Sequence, residues 1–176
     1  MKLDTNNHII LIGYMGAGKS TLGSNLAEMT GRTFIDLDLH IQQTEKKTIP
    51  QLFAEYGEMY FREKEAELLK EITGSKIIAT GGGVLTFSNT TEWMKKNGTV
   101  VYLHAPFSEL YERISLDSNR PVVVNNTKAA LNEIYNKRHL AYQAAADLIV
   151  SVSNCSIEQS ADMIIKQMGI TRLNEL

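Results

Sequence analysis

The fold of this chain is decided by one stretch near its start, Gly13-Tyr14-Met15-Gly16-Ala17-Gly18-Lys19-Ser20. An apolar run at 9–12 precedes this stretch, and a segment with helical character follows it. The spacing G-x-x-x-x-G-K-S between a strand and a helix is typical of the loop that surrounds nucleotide phosphates with backbone N–H groups. Lys19 is expected to reach the β- and γ-phosphates, and Ser20 to bind Mg²⁺. The predicted nucleotide-binding residues are Gly13, Gly16, Ala17, Gly18, Lys19, Ser20 and Thr21.

The composition is that of an ordinary globular domain. The 176 residues are 43% hydrophobic and carry a net charge of -2, which gives no electrostatic reason to expect nucleic acid. The single cysteine cannot form an internal disulfide and fits a reducing compartment. No apolar run reaches the roughly 18 residues that a membrane-spanning helix needs, and the start lacks the apolar core of a signal peptide. We expect one cytoplasmic domain, residues 1–176, that acts as a monomer.

Strand and helix patterns alternate along the chain. Apolar segments at 9–12, 33–36, 76–80, 99–104 and 147–152 predict five strands. Helical patterns lie at 18–30, 37–46, 48–56, 58–73, 89–97, 106–116, 126–146 and 156–168. This order predicts right-handed crossovers and a parallel sheet covered by helices, which is an α/β fold. Ligands bind outside the carboxyl ends of such strands, so the residues just after each strand are the candidate site.

The second and third predicted strands each end in a candidate binding motif. In extended chain, Asp36 and Asp38 would project to one side, and one could lie near Mg²⁺ while the other accepts a hydroxyl proton. An equally good interpretation is that Asp38 caps the following helix. The third strand runs into Gly81–Gly83, where missing side chains would let a ligand approach the backbone. A hairpin turn there is the weaker alternative, because helix-forming sequence follows.

Arginines occupy three positions from which they could bind an anion. Arg62 borders an apolar helix face, and pairing with Glu58 or Glu65 at helical spacing is its simpler interpretation. Arg120 stands in a polar loop, where an arginine can close over a transferring phosphate, although an ordinary exposed arginine is simpler. Arg138 shares the apolar face of the long helix, where an unpaired cation is costly. It should meet either a protein carboxylate or a ligand anion.

Together these motifs resemble those of the shikimate kinase family over nearly the whole chain. The matching segments are Gly13–Thr21, Asp36–Asp38, Phe61–Glu65, Gly81–Gly83, Arg120-Pro121 and Arg138–Tyr142. The resemblance implies a five-stranded parallel sheet in the order 2-3-1-4-5. It also implies ATP-dependent phosphorylation of the shikimate 3-hydroxyl, a step towards chorismate and the aromatic amino acids. An acceptor-binding helical segment at about 37–62 and a lid at about 114–126 are further expectations of the resemblance.

The resemblance assigns the acceptor side of the site as follows. Arg62 and Arg138 would hold the shikimate carboxylate. Asp38 would bind the ring hydroxyls and accept the proton of the attacking one. Gly82, with Gly81 and Gly83 beside it, would contact the substrate through the backbone.

The donor side follows from the same resemblance. Lys19 would bind the phosphates, and Ser20 would hold Mg²⁺ directly while Asp36 would hold it through water. Arg120 matches a lid arginine that reaches the phosphates during transfer. Arg113 matches an arginine that stacks near adenine.

Two segments depart from the family's pattern. Ser153–Ser156 stands where members often carry an arginine and a proline beside adenine, and the valines at 122–124 are unusual for a lid. One rival interpretation is another small-molecule kinase, acting on gluconate or a nucleoside monophosphate. A second rival is a nucleotide-dependent regulator without catalysis. The arginine pair Arg62 and Arg138 argues against the first, and the presence of Lys19 and Asp38 argues against the second.

Overall fold

The structure, a computed structural model, describes residues 7–117 and 121–173. Its five strands are β1 (His8–Ile12), β2 (Thr33–Asp36), β3 (Lys76–Ala79), β4 (Gly98–His104) and β5 (Leu148–Ser151). They form one parallel sheet in the order β2-β3-β1-β4-β5, with Ile9 of β1 between Ile77 and Thr99. The predicted fold class and strand order are confirmed, and the strand ends differ from the predicted ones by at most one residue.

Helices connect the strands along the described chain. They are α1 (Lys19–Thr30), α2 (Leu37–Glu45), α3 (Ile49–Glu71), α4 (Ser88–Asn97), α5 (Phe107–Ile114), α6 (Pro121–Val124), α7 (Lys128–Ala145) and α8 (Ile157–Met168). The segment α3 is interrupted at Gly57 (φ 84, ψ 169), whose backbone is not helical, so the two helices predicted at 48–56 and 58–73 are confirmed to within two residues. The short helix α6 was not predicted; proline fits the first turn of a helix and so can begin it. Within the two described ranges, no helix is long and apolar enough to cross a membrane.

The sheet is buried on both faces, as parallel sheets usually are. Every residue of β1 is buried, which explains its continuous apolar sequence. Leu22 and Leu26 of α1 and Ile164 of α8 belong to the same buried core. This core fixes the carboxyl ends of β1, β2 and β3, where the phosphate-binding loop, the Asp36–Asp38 segment and the glycine turn begin.

Candidate active site

The phosphate-binding loop runs from β1 into α1. Gly16 and Gly18 have φ values of 79° and 84°, a region that favours glycine because it lacks a Cβ. The Nζ atom of Lys19 donates to the carbonyl oxygens of Gly13 (2.8 Å) and Tyr14 (3.1 Å). The ammonium group is therefore held against the loop at the start of α1, where a phosphate would meet both the cation and the helix N-terminus.

Ser20 and Asp36 lie side by side at the start of α1 and the end of β2. The Ser20 hydroxyl donates to Oδ2 of Asp36, while Oδ1 of Asp36 accepts from the Leu39 N–H at 3.1 Å. A hydroxyl and a carboxylate beside a phosphate loop are the oxygen ligands that Mg²⁺ prefers, and Mg²⁺ commonly takes only one or two protein carboxylates. This pair of side chains fits the ion.

Asp38 occupies a different environment from Asp36. The extended chain predicted through both residues is wrong, because α2 begins at Leu37 with Asp36 as its N-cap. For the same reason Asp38 is not the cap; it lies in the first turn of α2. Its side chain lines a cavity beside the phosphate-binding loop.

That cavity has a volume of about 380 Å³, within the range of small-molecule sites. Its polar lining includes Asp38 from α2, Arg62 from α3 and Arg138 from α7, which lie far apart in the sequence. Among the described residues, the lining is Met15, Asp38, Gln42, Thr48, Ile49, Pro50, Phe53, Phe61, Arg62, Gly81, Gly82, Asp117, Pro121, Val122 and Arg138. Two cations and the Asp38 carboxylate thus meet at a single cavity, to which Asp117 adds a second carboxylate.

Arg62 is paired and also lines the cavity. Its guanidinium donates to Glu65 (2.8 Å) and contacts Glu58 (3.3 Å), yet only 6% of the residue is exposed. Burial alone would lower the pKa of Arg62, but the two glutamates more than offset this effect and raise it. Burial also raises the pKa of Glu65, which is 1% exposed. The simpler interpretation of Arg62, pairing with Glu58 or Glu65, is confirmed, but Arg62 and Glu65 are buried at the wall of the cavity and not solvated.

Arg138 also lines the cavity, and its contacts indicate which kind of anion it meets. Within residues 7–117 and 121–173, no carboxylate lies at ion-pair distance from its guanidinium. Its Nη1 atom lies 3.4 Å from where a Cβ on Gly82 would stand. Of the two interpretations left open by the sequence, the described contacts favour the ligand anion.

Two glycines of the turn Gly81–Gly83 are required because neighbouring side chains leave no room for a Cβ. A Cβ on Gly81 would lie 2.2 Å from Oε1 of Glu65, and one on Gly83 would lie 2.3 Å from Cζ of Arg62. At Gly82 the nearest side-chain atoms are 3.4 Å away, an ordinary distance. The open backbone expected from the sequence therefore lies at Gly82, while Gly81 and Gly83 make room for the buried Arg62–Glu65 pair.

The predicted nucleotide residues outside the loop are only partly described. Arg113 donates to the carbonyl of Gly16 (3.2 Å) and lies 3.6 Å from Glu109, whose carboxylate also accepts from the Ser153 hydroxyl. The segment after β5 is thereby linked to α5 and the phosphate-binding loop. Arg120, the predicted lid arginine, lies outside the described residues.

The apolar side of the cavity was not predicted from the sequence. Met15 occupies a variable position of the loop motif, and Phe61 lies on the apolar helix face that Arg62 borders. Phe53 and Val122 also line the cavity, from α3 and α6. Helical periodicity indicates which residues are buried, but it does not distinguish a core from the wall of a binding site.

The fold and this site together define a P-loop kinase, a protein with a phosphate-binding loop beside a separate acceptor cavity. The family model described as shikimate kinase matches residues 15–169. The chain belongs to the shikimate kinase family, whose members use ATP as co-substrate, and it is an ATP-dependent kinase.

Individual relatives agree with this assignment. A shikimate kinase of Persephonella marina is 39% identical over 160 residues, covering 90% of this chain and 96% of the relative. A solved shikimate kinase of Acinetobacter baumannii in complex with shikimate is 34% identical, with a TM-score of 0.87 and 94% of each chain covered. A solved shikimate kinase of Aquifex aeolicus is 32% identical, with a TM-score of 0.80 over 92% of this chain and 96% of that one.

Proposed function

We propose that this chain transfers the γ-phosphate of ATP to the 3-hydroxyl of shikimate, which yields shikimate 3-phosphate and ADP. The cavity that brings Arg62, Arg138 and Asp38 together beside the phosphate-binding loop carries this proposal. An acid with several ring hydroxyls needs cations for its carboxylate and an acceptor for its hydroxyl protons. Family membership and the relative solved with shikimate support the same substrate.

On the donor side, phosphoryl transfer depends mainly on positioning and on neutralising charge. Lys19 would hold the β- and γ-phosphates at the start of α1. Ser20 and Asp36 would hold Mg²⁺, which neutralises phosphate charge when bound. Arg120 would contact the phosphates from the lid, and Arg113 would lie along adenine.

On the acceptor side, two guanidinium groups would hold the carboxylate of shikimate. Arg62 enters this role already fixed by Glu65, while Arg138 has its charge available for the ligand. Asp38 would bind the ring hydroxyls and accept the proton of the 3-hydroxyl as it attacks. The turn Gly81–Gly83 would contact the substrate through its backbone.

We also propose that residues 1–176 form one domain, with an acceptor-binding segment at about 37–62 and a lid at about 114–126. The cavity lining supports these two segments, because it includes Gln42 and Phe53 from the first and Asp117 and Val122 from the second. We propose that the protein acts as a monomer in the cytoplasm.

Acceptor specificity tests the proposed function. The purified chain is assayed for ADP release with ATP, Mg²⁺ and one acceptor at a time, namely shikimate, gluconate or a nucleoside monophosphate. We expect rapid turnover with shikimate and only background ADP release with the others. Turnover with gluconate and none with shikimate would instead support the rival small-molecule kinase, and no acceptor-dependent turnover would support a regulator.

Replacing Arg138 with lysine should weaken shikimate binding specifically. Lysine keeps the charge but loses the planar fork that binds both oxygens of a carboxylate. We expect the KM for shikimate to rise about tenfold, the effect of losing about 1.4 kcal/mol, with little change in the KM for ATP. Initial rates over a grid of both substrates provide the measurement. An equal rise in both KM values would show that Arg138 does not act on the carboxylate.

A further inference from the structure

The turn Gly81–Gly83 is fastened to the protein through all three of its carbonyl oxygens. The Gly81 oxygen accepts from the Val84 N–H (3.3 Å), and the Gly83 oxygen accepts from the Thr86 N–H (3.0 Å). The Gly82 oxygen accepts from the hydroxyl of Tyr142. Among the described residues, no hydrogen bond uses a glycine N–H of this turn as its donor. The turn therefore has its acceptors occupied and its donors available, and Gly81 and Gly82 line the cavity.

Tyr142 reaches this turn from α7, one helical turn after Arg138. The residue is 1% exposed, and its ring packs on Tyr102 with 5.1 Å between ring centroids. Burial raises the pKa of Tyr142, so its hydroxyl keeps its proton and stays a donor at neutral pH. The side chain is thus held in place by its own packing, independently of any ligand.

The Tyr142 hydrogen bond acts on the least constrained peptide of the turn. The peptide plane between Gly82 and Gly83 has a glycine on each side, and glycine permits backbone rotations that other residues resist. Because the peptide is planar and trans, fixing the Gly82 carbonyl also fixes the direction of the Gly83 N–H on the opposite side of the bond. Val84 and Thr86 hold the neighbouring peptides but not this one.

We propose that Tyr142 is a positioning residue for the acceptor, which holds the Gly82 carbonyl so that the backbone of the turn, whose Gly81 and Gly82 line the cavity, keeps one orientation beside bound shikimate. This inference rests on the proposed function. Arg138 and Tyr142 then act from one face of α7: the arginine binds the substrate, and the tyrosine orients the backbone beside it.

The chain supplies a matched control for this role. Tyr135, also on α7, donates its hydroxyl to the backbone carbonyl of Ala105 at 3.0 Å and is 8% exposed. Removing either hydroxyl deletes a bond from a buried tyrosine to a backbone oxygen. If the hydrogen bond of Tyr142 were purely structural, the two replacements would have equal effects on shikimate binding. If it positions the turn, only the replacement of Tyr142 would weaken that binding.

The experiment compares Tyr142→Phe with Tyr135→Phe in steady-state kinetics and in calorimetric titrations with shikimate and with ADP. For Tyr142→Phe we expect the KM and Kd of shikimate to rise about tenfold, as for the loss of one buried hydrogen bond. The ADP affinity should stay within about twofold of wild type. For Tyr135→Phe, both affinities should stay within about twofold.

Each outcome decides for or against the inference. Equal effects of the two replacements on shikimate binding would overturn it, and so would an equal loss of ADP affinity in Tyr142→Phe. Titrations at low temperature keep the comparison valid if Tyr142→Phe lowers the Tm. If wild type binds shikimate without phosphorylating it, the proposed function fails, while the titrations still decide the role of Tyr142.

Discussion

Replacing Asp38 with asparagine is expected to lower kcat by about 100-fold or more, the usual effect of removing a positioned base. Asparagine has nearly the same shape, but it cannot accept the proton of the attacking hydroxyl. Asp38 lines the cavity that also contains Arg62 and Arg138, so the loss should appear at saturating shikimate and ATP. The measurement is the rate of ADP release under those conditions.

The same chemical change far from the cavity provides the control. Asp162 on α8 pairs with Arg172 and has a side chain that is 48% exposed. Asp162→Asn should leave kcat unchanged. A kcat for Asp38→Asn within twofold of wild type would remove Asp38 from the role of proton acceptor.

Replacing Gly83 with alanine should lower kcat/KM for shikimate nearly as much as Asp38→Asn lowers kcat, although the added methyl group need not touch substrate. The new Cβ would lie 2.3 Å from Cζ of Arg62, which is buried and bonded to Glu65 and so must shift. Hydrogen bonds to charged groups contribute about 1.5–3 kcal/mol, and losing one to the carboxylate is worth roughly 100-fold at the upper end. We expect kcat/KM for shikimate to fall by that factor, with the KM for ATP little changed.

A double-mutant cycle shows whether Gly83→Ala acts through Arg62. Arg62→Ala vacates the space that the new methyl group needs. In the Arg62→Ala background, Gly83→Ala should lower kcat/KM for shikimate little further, so the two effects should be strongly non-additive. Simple additivity of the two losses in kcat/KM would mean that alanine at 83 disturbs the turn by another route.

The sequence predicted the sheet well because its strands carry a local signal. The continuous apolar run of β1 reflects burial on both faces, and the loop spacing that follows it fixes both the strand end and the start of α1. Helices separate all the strands, so a parallel sheet was the expected consequence. Gly57 ends one helix and precedes the next, as its position just after a helical pattern predicted, because glycine adopts a positive φ at little cost.

The environment of the two aspartates was not predictable in the same way. Periodicity treated Asp36 and Asp38 as neighbours on one side of an extended chain. The helix predicted from residue 37 is confirmed, and it separates the two carboxylates. Asp36 caps α2 by accepting from the Leu39 N–H while it contacts Ser20, and Asp38 lies in the first turn. Contacts with segments distant in sequence therefore decide that Asp36 lies beside Ser20 and that Asp38 lines the cavity.

Arg62 and Arg138 show a second limit of local sequence signals. For Arg62, helical spacing to Glu58 and Glu65 suggested an ion pair, and the pair is present, but it is buried at a cavity wall. For Arg138, the apolar helix face showed only that the cation needs an anion. Deciding between protein and ligand required the positions of the surrounding carboxylates, which the fold alone provides.

The central claim is that Arg62 and Arg138 hold one shikimate carboxylate while Asp38 faces the hydroxyls. A crystal structure with ADP, Mg²⁺ and shikimate tests it most directly. We predict one shikimate in the cavity beside the phosphate-binding loop, with both guanidinium groups on its carboxylate and Asp38 within hydrogen-bond distance of a ring hydroxyl. A carboxylate bound away from both arginines, or shikimate bound outside this cavity, would contradict the claim.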